Sequence, residues 1–360
     1  MGLEVDPAFF QDPEHRPKPT IDEAGSIPLI DLSPLSSVNP DDPHAPQALV
    51  GLLGELEAAC TDWGFFQVVN HGVPPHLLQR LQAEARAFFA LPTEEKRRVS
   101  RDAINPLGYF DTEHTKNVRD WKEVFDFMVD DEVVIPAWGE PGDEQAKTWK
   151  NRWPEYSELR EAGHEYARAV EKLAFALLEL ISLTLGVGAK RLDGFFHGQS
   201  RSSFIRLNHY PPCPAPHLAL GVGRHKDAGA LTVLAQDDVG GLDVRRKSDG
   251  EWVRVKPIPD SYIINVGDII QVWSNDKYES AEHRVSVNSE RERFSIPFFF
   301  NPTLSTTVEP LEEVVDELIN PPKYEAYNWG VFLKTRRNSN FRKLAVENLQ
   351  IYHFKKNVQE

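Results

Sequence analysis

The sequence predicts a mainly β core, arranged as a sandwich or barrel, with helices packed around it. Between Ser203 and Pro302, short runs rich in β-branched and aromatic residues recur at close intervals. Turn-forming pairs such as Pro-Pro, Gly-Gly and Asp-Gly separate these runs, as expected for an all-β unit. On both sides of this region, the apolar residues follow helical rather than strand spacing.

The chain divides into three blocks. Residues 1–196 form a mostly helical N-terminal domain with a few strands, residues 197–310 form the β core, and residues 311–360 form a C-terminal helical extension that packs on the core. In the first block, the spacing predicts strands at 27–32 and 65–70 and helices at 47–63, 75–90 and 156–185. In the second block, the predicted strands are the runs FIRLNHY, ALTVLAQ, LDVRRK, WVRVK, YIINV, IIQVW, HRVSV and RFSIPFFF.

The composition of this 360-residue chain limits where it acts and what it binds. No apolar run is long enough to cross a membrane, and the polar, acidic N-terminus lacks the features of a signal peptide. The two cysteines, Cys60 and Cys213, form no disulfide framework or metal-binding pattern. The net charge of −15 disfavours nucleic acid and anionic membranes as partners. We therefore expect a monomer that binds a small molecule in the cytosol or the nucleus.

A candidate metal site combines two separate motifs. His225 and Asp227 are two residues apart, so on an extended segment both side chains point to the same side. His283 lies in a later strand-like run. Two imidazoles and one carboxylate on one face of an octahedron form the facial triad of non-haem iron(II) oxygenases, which leaves positions for a bidentate co-substrate and O₂. A His-x-Asp pair alone also fits a loop histidine beside a solvated aspartate, so the prediction depends on the motifs below.

A second site is predicted on the run RFSIPFFF, where alternation places Arg293, Ser295, Pro297 and Phe299 on one face. A buried arginine requires an anionic partner, and its guanidinium can bind a carboxylate through two parallel hydrogen bonds. The distal carboxylate of 2-oxoglutarate meets this requirement. An Asp or Glu side chain in a structural ion pair would meet it as well.

The run RLNHY before Pro211 offers further polar groups on one strand face. Arg206, Asn208 and Tyr210 alternate and therefore share that face. The Tyr210 hydroxyl can donate to the same carboxylate as Arg293, and the Asn208 amide can orient the keto-acid end near the metal. Taken singly, each of these residues also fits an ordinary polar position in a strand.

Together, the motifs NHYPPCP, LALGVGRHKDAGALT, SNDKYESAEHRV and RFSIPFFFNP resemble the plant 2-oxoglutarate/Fe(II)-dependent dioxygenase superfamily. The resemblance is to the branch that contains flavonoid, gibberellin, auxin and alkaloid oxygenases. The N-terminal segments IPLIDLS and CTDWGFFQVVNHGV agree with it, so it covers nearly the whole chain. It implies a distorted double-stranded β-helix, or jelly roll, with residues 197–310 as the catalytic core.

The resemblance also implies roles for individual residues and the cofactors that they bind. Fe(II) is expected on His225, Asp227 and His283. The co-substrate 2-oxoglutarate is expected on Arg293, Ser295, Tyr210 and Asn208, with O₂ as the oxidant and ascorbate as a candidate stimulant. The expected substrate pocket contains Phe299, Arg206, Phe125 and Phe127, although the three phenylalanines also fit a plain core role. His209 replaces the tyrosine that is common in the family and is expected to face away from the pocket.

The implied activity is hydroxylation or desaturation of a small, largely apolar plant metabolite, such as a gibberellin, a flavonoid or an indole, with release of succinate and CO₂. Three alternatives remain open. The chain could be an oxidase of the same fold that does not use 2-oxoglutarate, or a non-catalytic protein that binds a small molecule. The third alternative is a cupin-like zinc or manganese enzyme. Metal analysis and labelled 2-oxoglutarate turnover would separate these alternatives.

Overall fold

The computed structural model describes residues 5–18, 21, 27–37, 45–137, 145–155, 158–341 and 349–356. The α-helices are α1 Ser33–Ser37, α2 Ala45–Asp62, α3 Pro75–Phe89, α4 Thr93–Arg97, α5 Glu158–Thr184, α6 Asp268–Trp273 and α7 Trp329–Phe341. The first eight strands are β1 Leu29–Asp31, β2 Phe65–Val69, β3 Gly108–Phe110, β4 His114–Thr115, β5 Val118–Arg119, β6 Glu123–Met128, β7 Glu132–Ile135 and β8 Lys147–Lys150. The remaining strands are β9 Phe204–Tyr210, β10 Leu220–His225, β11 Leu231–Gln236, β12 Leu242–Arg245, β13 Trp252–Arg254, β14 Tyr262–Val266, β15 His283–Ser286, β16 Arg293–Phe300, β17 Thr307–Val308 and β18 Tyr327–Asn328.

Two sheets build the core. The main sheet has eight strands in the order β1-β2-β14-β11-β16-β9-β6-β3, and the smaller sheet has four in the order β10-β15-β12-β13. From β9 to β16, successive stretches of chain pass back and forth between the two sheets. All neighbours pair antiparallel except β1 and β2. This architecture confirms the predicted jelly roll with surrounding helices.

Helices α2, α3 and α5 pack together, and α2 and α5 contact strands of the main sheet. The longest helix, α5, packs against α2, α3, β11 and β16. Its apolar residues recur at helical spacing and are buried, among them Tyr166, Val170, Leu177 and Ile181. It is followed by Gly186, whose φ of 79° lies in the left-handed region that commonly follows a helix. The 3.6-residue periodicity therefore predicted this helix well, whereas its packing partners are distant in sequence.

Two predictions in the β region are wrong or incomplete. The run IIQVW was predicted as a strand, but it lies in helix α6, where all six residues are buried. A short run that is buried on every side has no alternation that distinguishes a strand from a helix. Strand β10, which carries His225, was not among the predicted runs because its glycines and charged residues obscure the β pattern.

The proposed division into three blocks remains a prediction. The main sheet joins β1, β2, β3 and β6 from the first block to strands of the second, so the two blocks share one sheet. In the third block, the described residues from 311 to 328 are mainly turns and short bridges, and helix begins only at Trp329. Among the described residues, no helix combines the length and apolar character needed to cross a membrane.

Candidate active site

The three predicted metal ligands meet at one end of the smaller sheet. His225 is the last residue of β10 and His283 is the first of β15, and the two residues are paired across these antiparallel strands. Asp227 lies just beyond the end of β10, so the loop, and not strand alternation, brings its carboxylate to the histidines. One ligand atom from each residue lies within 4.8 Å of the others. The Asp227 Oδ1 atom is 3.5 Å from His225 Nε2 and 3.6 Å from His283 Nε2.

Backbone carbonyl groups orient both imidazole rings. His225 Nδ1 donates to the Gly223 carbonyl oxygen at 2.8 Å, and His283 Nδ1 donates to the Ala281 carbonyl oxygen at 3.2 Å. Because a carbonyl oxygen can only accept, each ring carries its proton on Nδ1 and keeps the Nε2 lone pair for a metal. Burial lowers the pKa of His283 to about 4, so this ring is neutral near pH 7, as a ligand must be.

The Asp227 carboxylate is oriented by two side chains from the main sheet. Its Oδ2 atom accepts hydrogen bonds from Thr232 Oγ1 at 2.6 Å and Asn265 Nδ2 at 2.8 Å, which leaves Oδ1 directed to the histidines. Burial alone would raise the pKa of Asp227, but His283 and His225 in their protonated forms, together with the Thr232 hydrogen bond, hold that pKa well below its usual range. Thr232 and Asn265 were not predicted. Each is a lone polar residue within a buried β run, and this signal could have identified them.

The four residues predicted to bind 2-oxoglutarate lie on neighbouring strands of the main sheet. Arg293 and Ser295 on β16 pair with Tyr210 and Asn208 on β9, respectively. The Asn208 amide nitrogen donates to Ser295 Oγ at 3.3 Å, while the buried Asn208 Oδ1 atom has no partner. The Arg293 guanidinium lies over the Tyr210 ring, 5.0 Å from its centroid. The structure therefore brings all four residues together.

Arg293 is the informative member of this group. It is only 3% exposed, and Nη2 donates to the Gln236 side-chain oxygen at 3.0 Å. Its Nε and Nη1 atoms are buried without a hydrogen-bond partner. Within the described part of the chain, no carboxylate pairs with it, so the structural ion pair considered above is not present there. A buried cation with unused donors fits a carboxylate ligand, because an unpaired buried charge is costly.

A cavity of about 1090 Å³ connects these two groups and lies between the two sheets. The three predicted metal ligands and the four residues predicted to bind 2-oxoglutarate all line it. Phe299 lines it as predicted, stacked on Phe204 with ring centroids 4.6 Å apart. Trp329 and Leu333 on α7 form a further apolar wall. The two histidines and the aspartate fit Fe(II), and the unused polar atoms of Arg293 and Asn208 fit 2-oxoglutarate. The cavity is large enough to hold a further small molecule as well.

Arg206 lines the cavity as well, but carboxylates of the protein already occupy its guanidinium. It donates to both oxygens of Asp126, at 2.7 Å each, and to both oxygens of Glu113, at 2.9 and 3.0 Å. Although burial opposes its charge, these two carboxylates raise the pKa of Arg206. Arg206 therefore borders the cavity as a fixed and neutralised cation.

Phe125 and Phe127 do not line the cavity, which corrects their predicted place in the substrate pocket. Both are fully buried in the core, where Phe125 contacts Phe88 and Phe127 contacts Trp153, at centroid distances of 4.9 and 4.8 Å. Strand β6 alternates, and the ion pair between Asp126 and Arg206 turns the opposite face of the strand towards the cavity. The phenylalanines consequently point to the helices.

His209 faces away from the cavity, as expected. Its ring stacks on Phe294 with centroids 4.7 Å apart, and its nitrogens lie 2.7 and 3.0 Å from the carboxylates of Glu123 and Glu292. The replacement of a tyrosine at this position therefore leaves the cavity lining unchanged.

Comparison with known proteins agrees with this geometry. Residues 201–302 match the 2OG-Fe(II) oxygenase superfamily, and residues 27–156 match the N-terminal region described as non-haem dioxygenase in morphine synthesis. Jasmonate-induced oxygenase 1 of Arabidopsis thaliana is 35% identical over 91% of this chain and 79% of its own length. Feruloyl CoA ortho-hydroxylase 1 of the same plant is 37% identical over 82% of this chain and 74% of its own length.

Solved structures share this fold, and one of them contains 2-oxoglutarate and iron. The crystal structure of JOX2 in complex with 2OG, Fe and JA has a TM-score of 0.75 and 33% identity, and the match covers 92% of this chain and 88% of that one. A dioxygenase for auxin oxidation from rice has a TM-score of 0.68 and 27% identity, covering 92% of this chain and all of its own. With its fold, its donor set and these relatives in agreement, the chain belongs to the 2OG-Fe(II) oxygenase superfamily, as an Fe(II)- and 2-oxoglutarate-dependent dioxygenase of the plant type.

Proposed function

We propose that this enzyme hydroxylates or desaturates a small, largely apolar plant metabolite, with iron bound by His225, Asp227 and His283. The 2-oxoglutarate would be held by Arg293, Ser295, Tyr210 and Asn208. When bound, iron and 2-oxoglutarate supply the activation of O₂, with loss of CO₂ and formation of succinate. The observation that carries the proposal is Arg293, a buried cation with two unused donors in the cavity that contains the three metal ligands.

The remaining residues have binding and orienting roles in this proposal. The Arg293 guanidinium would bind the distal carboxylate of 2-oxoglutarate, and the Ser295 and Tyr210 hydroxyls would add hydrogen bonds to it. The Asn208 side chain, whose buried Oδ1 atom has no hydrogen-bond partner, would orient the keto-acid end of 2-oxoglutarate near the metal. Phe204 and Phe299 would hold the substrate against one wall and exclude water from the reacting atoms.

The proposed substrate class comes from the relatives and from the cavity. The relatives' names refer to jasmonate, feruloyl CoA and auxin, and these are plant hormones or phenolic metabolites. The stacked phenylalanines and the apolar face of α7 suit a rigid, mostly apolar body. Incubation of the Fe(II) enzyme with 2-oxoglutarate and a plant extract should produce compounds that gain one oxygen or lose two hydrogens, as measured by mass spectrometry.

The decisive test of the chemistry is metal-dependent and 2-oxoglutarate-dependent turnover. Succinate release from labelled 2-oxoglutarate is expected with wild type, and it should be abolished in His283→Ala. The matched control is Arg291→Met, because Arg291 forms an exposed ion pair with Asp238 outside the cavity. Succinate release by a folded His283→Ala variant at the wild-type rate would contradict the proposed iron site.

We also propose that the enzyme acts as a monomer in the cytosol or the nucleus. Light scattering of the purified protein and localisation of a fluorescent fusion test these two points separately. A stable dimer or an organellar signal would contradict the corresponding part of the proposal.

A further inference from the structure

A cluster of charges, all buried except the partly buried Arg206, lies beside the proposed metal site, although none of its members is a proposed ligand of iron or 2-oxoglutarate. The cluster consists of three cations and three anions: Arg101, Lys122, Arg206, Glu113, Asp120 and Asp126. Burial opposes the charge on Lys122, but Glu113 and Asp120 raise the pKa of that lysine, so it stays charged. Replacing buried ion pairs by apolar side chains of similar volume is often neutral or stabilising in proteins. The charges are therefore candidates for a role other than stability.

One member of the cluster, Asp120, reaches the strand that carries a metal ligand. Its Oδ1 atom accepts a hydrogen bond from the Gly223 backbone N–H at 3.1 Å. The Gly223 carbonyl oxygen in turn accepts the Nδ1–H of His225 at 2.8 Å. A single glycine therefore lies between the Asp120 carboxylate and the imidazole, with its N–H held on one side and its carbonyl on the other.

The strand is irregular at this place and depends on Asp120 for a partner. The pairing of β10 with β15 shifts register between Val222 and His225. The Trp121 backbone N–H donates to the Leu220 carbonyl oxygen at 2.9 Å, so residues 120 and 121 attach to β10 at two points. This attachment lies next to the end of β10 that carries His225.

Asp120 also holds a hairpin that forms one wall of the cavity. The wall hairpin consists of β4 and β5, and its turn residues Lys116 and Asn117 both have positive φ, as in a two-residue type I′ turn. Residues 114–117 line the cavity. The Thr115 hydroxyl donates to Asp120 Oδ2 at 2.8 Å. One carboxylate thus binds both the wall hairpin and the strand of His225.

Gly223 permits this arrangement by its lack of a side chain. A Cβ atom at position 223 would lie 3.0 Å from the Thr115 Cβ and 3.1 Å from its Cγ2. These distances are tighter than ordinary packing, so a larger residue would push the wall hairpin away from β10. Glycine at this position therefore favours close contact between the wall hairpin and β10.

We propose that Asp120 is a positioning residue that ties the wall hairpin to β10 and thereby holds the His225 imidazole in place for iron. The inference rests on the proposed function, in which His225 is an iron ligand. Iron affinity should then depend on a buried carboxylate and a hairpin hydroxyl that do not touch the metal.

The test is anaerobic titration of the apoprotein with Fe(II) in the presence of 2-oxoglutarate, followed by the visible charge-transfer absorption of the complex. Asp120→Ala should weaken Fe(II) binding by about tenfold or more, as is usual when a partner that orients a metal ligand is lost. Asp120→Asn keeps an oxygen that can accept from Gly223 and should restore most of that affinity. The matched control, Asp111→Ala, removes only a carboxylate paired with the exposed Arg97 and should leave the affinity unchanged.

A second readout separates positioning from a general loss of structure. In protein labelled with ¹⁵N-histidine and loaded with Zn(II), Asp120→Ala should shift the Nδ1 resonance of His225 while the other histidines keep theirs. If Asp120→Ala does not fold, Thr115→Val and Gly223→Ala replace it, and each should weaken Fe(II) binding by at least about threefold, because each loosens the same attachment.

The inference is overturned if folded Asp120→Ala binds Fe(II) with wild-type affinity and leaves the His225 resonance in place. Where Asp120→Ala is unfolded, wild-type affinity in both replacement variants overturns it. The variant His225→Ala distinguishes this failure from that of the proposed function. If His225→Ala binds Fe(II) as wild type does, the iron site itself is wrong; if it loses iron while Asp120→Ala does not, only the role of Asp120 is wrong.

Discussion

A partly buried arginine and a buried arginine on neighbouring strands line the same cavity, yet they lie in opposite electrostatic surroundings. Arg206 on β9 donates to all four oxygens of Glu113 and Asp126. Arg293 on β16 donates to one amide oxygen and has two further donors without a partner. The protein therefore supplies the counter-charge of Arg206, whereas a bound ligand would have to supply that of Arg293. Charge and burial alone therefore do not identify a binding site, whereas buried hydrogen-bond donors without a partner indicate one.

Replacement of Arg206 should reduce the stability of the fold more than any other change considered below. Arg206→Met would leave Glu113 and Asp126 buried with too little compensation, so we expect the free energy of unfolding to fall by about 3–5 kcal/mol. Urea denaturation followed by circular dichroism measures this loss. A variant as stable as wild type would show that the remaining cations, Arg101 and Lys122, neutralise the cluster without Arg206.

At Arg293 the expected effect is on the ligand and not on the fold. Arg293→Met should weaken 2-oxoglutarate binding by about 100-fold, which corresponds to about 3 kcal/mol for losing one partner of a buried charged pair. Its unfolding free energy without ligand should stay close to wild type, since no carboxylate of the described chain loses a partner. Calorimetric titration of the metal-loaded protein measures the first quantity. Unchanged 2-oxoglutarate affinity would remove Arg293 from the proposed site.

Ligand removal compares the two arginines in one experiment. At about 100 times its dissociation constant, 2-oxoglutarate should stabilise the Fe(II)-loaded wild type by about 2.7 kcal/mol. Arg293→Met should lose nearly all of this ligand-dependent increase in melting temperature. Arg206→Met, where it folds, should melt lower but keep the increase. If both variants lose the ligand-dependent increase in melting temperature equally, Arg206 and Arg293 do not differ in their contribution to 2-oxoglutarate binding.

Replacement of Ser295 should have a small effect on 2-oxoglutarate affinity, because its hydroxyl would contribute only one neutral hydrogen bond to the ligand. Ser295→Ala should weaken 2-oxoglutarate binding by about fivefold, or about 1 kcal/mol. The control Ser261→Ala removes a hydroxyl that donates to the Ile258 carbonyl outside the cavity, and it should not change the affinity. If the two variants bind 2-oxoglutarate with equal affinity, Ser295 does not contribute a hydrogen bond to the ligand.

Much of the site could be predicted because alternation along a strand is a local property. In β16, the period of two places Arg293, Ser295, Pro297 and Phe299 on one face, and all four line the cavity. The same rule placed Asn208 with Tyr210 and turned His209 away from them. For these strands, the residue types also indicate which face meets the cavity, since most of the polar side chains in each strand fall on one face.

In strand β6, alternation alone does not reveal which face meets the cavity. Alternation correctly places Phe125 and Phe127 on one face, but it does not say whether that face meets the cavity or the helices. The contact of Asp126 with Arg206, which is distant in sequence, decides the matter. The buried run at Asp268–Trp273 is a similar case, because its residues are covered on all sides and its conformation depends on what surrounds it.

Residue type and local spacing predicted a β core, the two histidines and one aspartate that meet at one site, and the strand faces that carry the polar groups of that site. The jelly-roll class followed from the resemblance to the dioxygenase superfamily. The folded structure was needed to show that Thr232 and Asn265 orient Asp227, that Asp120 reaches the strand of His225, and that Arg206 is neutralised while Arg293 is not. Hydrogen bonds and charge pairs between distant segments depend on which side chains the folded sheets bring within reach, and local spacing does not encode those distances.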